Sequence, residues 1–332
     1  MIGPIGRYEV LQALGEGYFG VVYLARGEVP GKGPRGSRSR TVAIKQLRGE
    51  WTQRGFETLV REFELLDRVK HRSICRVFEL LDREAAVVME YVEGATLRRV
   101  LEAHEAAREP IWPDAALEIG IELADCLYQA HATPGPSGAP LNLVHRDLKP
   151  ENVMLTPTGE VKILDFGLAR IDDGARDAGV KGTPLYMAPE QARGEPVDHR
   201  TDLFGLGLVV FELLTGAAAY PVPSRDRDSV IDGLMGRIER AELASELARL
   251  DRAHPAAATA IRHCLAARAA DRPEDGHVAM LELRRAVGRR GALAEFAAYT
   301  FGPLGPLGAP AGSGGSPRVE PPPPPPASDR MS

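Results

Sequence analysis

A change of hydrophobic period near Leu97 constrains the fold of this chain more than any other feature. Upstream, residues 8–14, 21–25, 41–47 and 85–89 are short runs rich in apolar and β-branched side chains, which predicts strands. Only residues 56–69 read as a helix there, with Leu59, Phe63, Leu66 and Val69 spaced by three and four. Downstream the helical period dominates, over residues 115–131, 201–214, 229–250, 256–267 and 277–287. One hairpin interrupts it, residues 152–155 and 161–164 flanking the turn Thr156-Pro157-Thr158-Gly159. A small β-rich lobe with one main helix, followed by a larger helical lobe, is the α+β architecture that this order predicts. The boundaries fall at residues 1–93 and 94–301.

Length and composition agree. At 332 residues the chain suits two domains or one large bilobal unit, and 44% hydrophobic with 26% charged residues excludes wholesale disorder. Forty-one basic against 46 acidic side chains give −5, which excludes a strongly basic nucleic-acid binder. Cys75, Cys126 and Cys264 are too few and scattered for a disulfide framework; they read as small buried hydrophobes in a reducing cytoplasm. No secretory signal is expected in residues 1–10, and the most apolar stretch, 203–220, is interrupted by Glu212 and falls short of a membrane span. The eight histidines lack metal-ligand spacing. From 302 to 332, 16 of 31 residues are Gly or Pro, ending in six consecutive prolines, which predicts a disordered tail. The proline run suits a partner with an aromatic-lined groove, a plain tether being the simpler reading. Residues 27–40, with four glycines, two prolines and Lys32, Arg35, Arg38 and Arg40, predict a long solvated loop.

Within this frame several residues carry chemistry. Gly15, Gly17 and Gly20 join two predicted strands at a spacing that lets backbone N–H groups approach phosphate oxygens. The same spacing fits an ordinary hairpin, and it lacks the following helix of a dinucleotide fingerprint. Lys45 sits within the apolar strand Val42-Ala43-Ile44-Lys45, and Glu62 lies beside the apolar face of the helix at 56–69. A carboxylate pointing at a core needs a partner, and Lys45 is the natural one.

His145-Arg146-Asp147-Leu148-Lys149-Pro150-Glu151-Asn152 follows, then Asp165-Phe166-Gly167, Gly182-Thr183-Pro184-Leu185-Tyr186-Met187-Ala188-Pro189-Glu190, Asp202 and Arg272-Pro273. In this order the motifs resemble the protein-kinase signature over residues 8–287, most closely that of the eukaryotic-like serine/threonine kinases of bacteria. The resemblance implies a bilobal kinase-like fold that binds ATP with Mg²⁺, or Mn²⁺ in its place, and phosphorylates Ser/Thr hydroxyls of proteins, its own included. By the same resemblance Lys45, oriented by Glu62, holds the α- and β-phosphates, Asn152 and Asp165 bind the metal, and Asp147 takes the acceptor proton. Val22, Ala43 and Met154 sandwich adenine, the backbones of Glu90 and Val92 bond its edge, and Met89 is the gatekeeper. Lys149 and Thr183 imply Ser/Thr rather than Tyr specificity. Leu66, His145 and Phe166 resemble an apolar spine joining the lobes, Glu190 should pair with Arg272, and the helix at 203–214 should be buried with Asp202 capping the catalytic loop.

Departures matter too. Between Phe166 and Gly182 there is no Ser, Thr or Tyr, so Asp172, Asp173 and Asp177 are candidates to supply Arg146 with the counter-charge a phosphate gives in relatives. Residues 133–143 insert a Gly/Pro-rich loop before the catalytic motif. Two rivals remain: a catalytically silent pseudokinase that scaffolds nucleotide or partners, and a small-molecule phosphotransferase. A homodimer is compatible with the resemblance, as in similar bacterial enzymes.

Overall fold

Strand register decides how the small lobe is built. The computed structural model describes residues 3–17, 20–30, 38–47, 53–135, 138–164, 166, 185–220, 235–240 and 242–308, with the backbone alone at Arg38, Arg54, Thr58 and Glu62. Strands β1 (Glu9–Gly17), β2 (Gly20–Val29) and β3 (Arg38–Leu47) precede helix α1 (Gln53–Arg68), then β4 (Val77–Leu81) and β5 (Ala86–Glu90). They form one antiparallel sheet in the order β1-β2-β3-β5-β4. Val22 lies opposite Lys45, Lys45 opposite Val87, and Ala43 opposite Met89. Side chains alternate across a strand, so these five share one face. Ala25, Val42, Ile44 and Val88 fall on the other face and make a separate small core with Ile5 and Tyr8.

The solvated loop expected at 27–40 is shorter than the composition suggests. β2 runs on to a buried Val29 and pairs with β3 as far as Arg38, because the small core extends under that end of the ladder. β4 was not foreseen: Val77–Leu81 shows little of the alternation that marks a half-buried strand.

The large lobe runs through β6 (Ala95–Thr96), α2 (Leu97–Ala107), α3 (Pro113–Ala132), a 3-10 turn (Pro150–Asn152), β7 (Val153–Leu155) and β8 (Val161–Ile163). It continues as α4 (Pro189–Ala192), α5 (Arg200–Thr215), α6 (Ala244–Ala253), α7 (Pro255–Cys264), α8 (Gly276–Ala286) and α9 (Ala292–Phe301). α5 is buried from Thr201 to Leu214, as its all-round apolar sequence requires, and packs against α3 and α7. All three cysteines are buried and free. Of the one helix expected at 229–250, residues 229–234 and 241 lie outside the described residues; the rest is in two pieces, helical residues 235–239 and then α6. Ile238 and Leu243, both buried, stand five residues apart, about 140° around a helix, so a break is what lets both reach the core. α9 was not read from the sequence, and ordered turns follow it to residue 308, with Leu307 N–H bonded to Thr300 O at 2.9 Å. The expected tail therefore yields its first seven residues to the folded lobe; 309–332 lie outside the described residues. The insertion at 133–143 folds back on itself, Gly135 N–H bonding Ala139 O at 2.7 Å and Leu141 N–H bonding Thr133 O at 2.8 Å.

The connector between α1 and β4 belongs to the large lobe. Val69 and Ile74 join its core, and Ile163 of β8 donates to Ser73 O at 2.7 Å.

Candidate active site

The glycine turn is fixed by close approach. Gly17 pairs with Gly20, and a Cβ on Gly20 would sit 2.0 Å from Gln46 O of β3, so no other residue fits there. Gly15 pairs with Val22 and faces open space. Beneath the turn the shared face of β2, β3 and β5 presents Val22, Ala43, half-buried Lys45 and Met89. Leu59, Phe63 and Leu66 of α1 close a small apolar cavity beside Lys45, with Val77, Val87 and Met89 opposite. Glu62 lies on the same helix, its side chain outside the described residues. Beyond β5, Val92 is buried. Glu90 donates its N–H to Arg76 O at 2.8 Å and accepts the Cys75 thiol on its carbonyl at 3.3 Å, so only the carbonyl's second lone pair is left for a ligand. Met154 is in β7, opposite Thr96 and Lys162.

The catalytic loop is tied down from below by α5. Asp202 accepts the N–H groups of His145 and Arg146 on its two oxygens, each at 2.7 Å. Burial pushes the Asp202 carboxyl up, while His145 and the two amides pull it back. Arg146 has a left-handed backbone (φ 65°), a strained conformation for an arginine, held by the Asp202 bond and by Gln191 Nε2 donating to Arg146 O at 2.8 Å. Gly205 of α5 makes room for the loop: a Cβ there would lie 3.2 Å from that of Leu148. His145 is structural, as expected. Its Nε2 donates to Leu164 O at 3.0 Å, its Nδ1 accepts the Asp147 N–H at 3.3 Å, and its ring meets Phe166 edge-on at 5.0 Å.

These ties converge three polar side chains. Lys149 Nζ donates to Asp147 Oδ2 at 2.7 Å. Asn152 Nδ2 donates to Asp147 O at 2.8 Å and to Oδ2 at 3.1 Å. Asp147 stays 47% exposed, so a substrate can reach it. With Nδ2 occupied, the Asn152 Oδ1 has no donor among the described residues, and an amide oxygen beside carboxylates suits a hard divalent cation. Asp165 and Thr183 lie outside the described residues, as do Asp172, Asp173 and Asp177. The neighbours of Asp165 are placed: Leu164 N–H donates to Asn152 O at 2.8 Å, and Phe166 packs on His145. Further along, Glu190 and Arg272 form the expected pair, forked through two bonds of 2.7 Å.

A protein kinase domain family matches residues 8–281. The chain belongs to the protein kinase family. Among its relatives it is 35% identical over 231 residues to the "Probable serine/threonine-protein kinase CPE1738" of Clostridium perfringens, covering 66% of this chain and 30% of that protein. It is 35% identical over 243 residues to the tyrosine-protein kinase MasK of Myxococcus xanthus, covering 71% and 36%. It is 34% identical over 227 residues to the serine/threonine-protein kinase PknB of Mycobacterium tuberculosis, covering 64% and 33%. The chain thus spans about a third of the length of these relatives. Kinases of this family use ATP and a divalent metal, and no helix among the described residues is long and apolar enough to cross a membrane.

Two contacts of this kinase domain escaped the sequence. Lys162 of β8 forks onto Glu90 at 2.9 and 3.1 Å, bracing the segment between the lobes. Arg98 links Glu151 to Glu212, the carboxylate whose place in an all-apolar helix was the one available signal that a partner was needed.

Proposed function

We propose that this kinase domain transfers the terminal phosphoryl group of ATP to Ser and Thr hydroxyls of proteins, its own included. The observation that carries the reading is the convergence of Lys149 and Asn152 on one oxygen of Asp147. Oδ2 is thereby occupied, and Oδ1, which has no donor among the described residues, is left to accept the acceptor hydroxyl's hydrogen. The Lys149 ammonium beside that carboxylate offsets the negative charge that gathers on the transferring group. Lys45, from the cleft face of β3, holds the phosphates, and the glycine turn lets backbone N–H groups close on them. When bound, ATP with Mg²⁺ or Mn²⁺ supplies the phosphoryl group and the cation that neutralises it, Asn152 and Asp165 holding the metal. The same reading places the domain in the cytoplasm, with a groove-type partner for the proline run and a homodimer as its associations.

Retention of all these polar groups argues against a silent scaffold, and no observation favours one. The test is label transfer from ATP with Mg²⁺ to Ser, Thr and Tyr peptides, followed by phosphoamino-acid analysis. Label should appear on Ser and Thr. Asp147→Asn should lose about 10²-fold or more in kcat, and Lys45→Met should silence transfer. Equal transfer by wild type and Asp147→Asn would remove the catalytic assignment. Label confined to Tyr, in keeping with the name of the Myxococcus relative, would overturn the acceptor class.

A further inference from the structure

The guanidinium of Arg98, in the first turn of α2, spends all three nitrogens on three other segments. Nε donates to Glu151 Oε1 at 2.8 Å in the catalytic loop, Nη1 to Glu212 Oε1 at 2.9 Å on α5, and Nη2 to Tyr186 OH at 2.5 Å. Tyr186 in turn donates to the other Glu212 oxygen. One cation therefore sits between two carboxylates. At Glu212, 6% exposed, the reason is structural: a buried carboxylate needs a partner. Glu151 is different. At 45% exposed it is solvated without help, so its bond to Arg98 is not explained by burial. Glu151 follows Asp147 by four residues, and both reach solvent from the same short loop, no more than about 14 Å apart along any path of the chain. A peptide that brings a hydroxyl to Asp147 has flanking residues within that distance.

We infer that Arg98 is a specificity-determining residue: it fills, from within the chain, the acidic subsite formed by Glu151 and Glu212, so that the enzyme takes Ser/Thr sequences with neutral rather than Lys or Arg flanks. This rests on the kinase reading above. A basic substrate side chain meets a subsite already neutralised by a like charge, which lowers affinity for that class without improving contact to any other.

The experiment compares two Ser peptides that differ only in Arg against Ala on either side of the acceptor, reading the ratio of their kcat/KM values. For the wild-type chain the Arg-to-Ala ratio should lie below one; a ratio at or above one overturns the inference. Arg98→Ala should raise the ratio about fivefold or more, through KM. Arg98→Lys, which keeps the charge, should behave as wild type, and Arg98→Ala with Glu151→Gln should lose the new preference. If Arg98→Ala lowers both peptides equally and the ratio stands still, the arginine is structural only and the inference fails. Should that variant fail to fold with Glu212 stranded, Arg98→Ala with Glu212→Gln removes the stranded charge, and its ratio should still exceed the wild-type value; an unchanged ratio is again fatal. If wild type labels no peptide at all, the kinase reading itself has failed and this inference falls with it.

Discussion

The pair of Glu190 and Arg272 shows how much one residue can hold. Arg272 is 0% exposed and gives Glu190 both arms of its fork, while Thr201 donates to Glu190 at 2.8 Å. Arg272 also lies 4.9 Å over the Phe204 ring and donates to Arg200 O at 2.9 Å, so it pins the segment after the catalytic loop to α5. Burial alone would raise the Glu190 carboxyl, but the guanidinium outweighs it and the net shift is below 4.5. A lowered carboxyl contributes stability above its unfolded value and loses it as pH falls through the folded one. Arg272→Met should therefore cost about 3–5 kcal/mol at pH 7, because it strands a buried charge. With burial, the largest influence, then opposed only by Thr201 and a backbone hydrogen bond, the Glu190 carboxyl should rise, and the deficit should shrink as pH falls from 7 towards 4. Calorimetric midpoints of both proteins across that range check the sign; a deficit that grows on acidification would contradict it. Replacing Glu190 and Arg272 together by apolar residues should recover most of the loss.

Among the elements, α9 repays attention because it lies beyond the matched kinase residues 8–281 yet is built into the large lobe. Phe296 is fully buried, stacks on His104 of α2 at 5.1 Å and meets Trp112 edge-on at 5.7 Å. Tyr299 stacks on Trp112 at 5.8 Å and donates to Glu109 at 2.6 Å. Phe296→Ala should cost about 3–5 kcal/mol, read as a lowered midpoint of urea unfolding. Burial lowers His104 from 6.5 against the pull of Glu109. A lowered base is stabilising above its unfolded value, so stability should fall as pH drops below 6.5, and His104→Asn should flatten part of that slope. α9 also marks where the sequence stops being readable. The helices at 115–131 and 201–214 were legible because a long apolar stripe, or apolar residues all round, leaves no other reading. Ala292–Phe301 is alanine-rich and borders a Gly/Pro-rich stretch, and what orders it is Trp112 and His104, nearly two hundred residues away in sequence. The same holds at the site. Asp147, Lys149, Asn152, Asp202, Glu190 and Arg272 stood out because motif spacing names them. Arg98 did not, since its carboxylates come from two distant segments and no local pattern joins them to α2.

At the scale of the whole molecule, the described residues form two cores of unequal size. The small one, around Tyr8, Val42, Ile44 and Val88, holds β1 to β5; the large one surrounds α5 and takes in Val69 and Ile74. Opening free energy follows buried apolar contact, so β1 to β3 should open before α3 or α5, seen as earlier amide hydrogen exchange. The proposed site needs both bodies, Lys45 from β3 and Asn152 from the large lobe, so any opening of the small sheet destroys it. Ligand linkage then fixes the size of the effect. A non-hydrolysable ATP analogue with Mg²⁺ at 100 times its Kd should slow exchange in β1 to β3 by about 100-fold, equivalent to ~2.7 kcal/mol. Local fraying of α9 leaves Lys45 and Asn152 in place, so exchange there by that route should not change. Uniform protection of both regions would mean the molecule opens only as one unit. Protection of α9 with none in β1 to β3 would place the nucleotide away from Lys45, and the catalytic geometry built on that lysine would have to be abandoned.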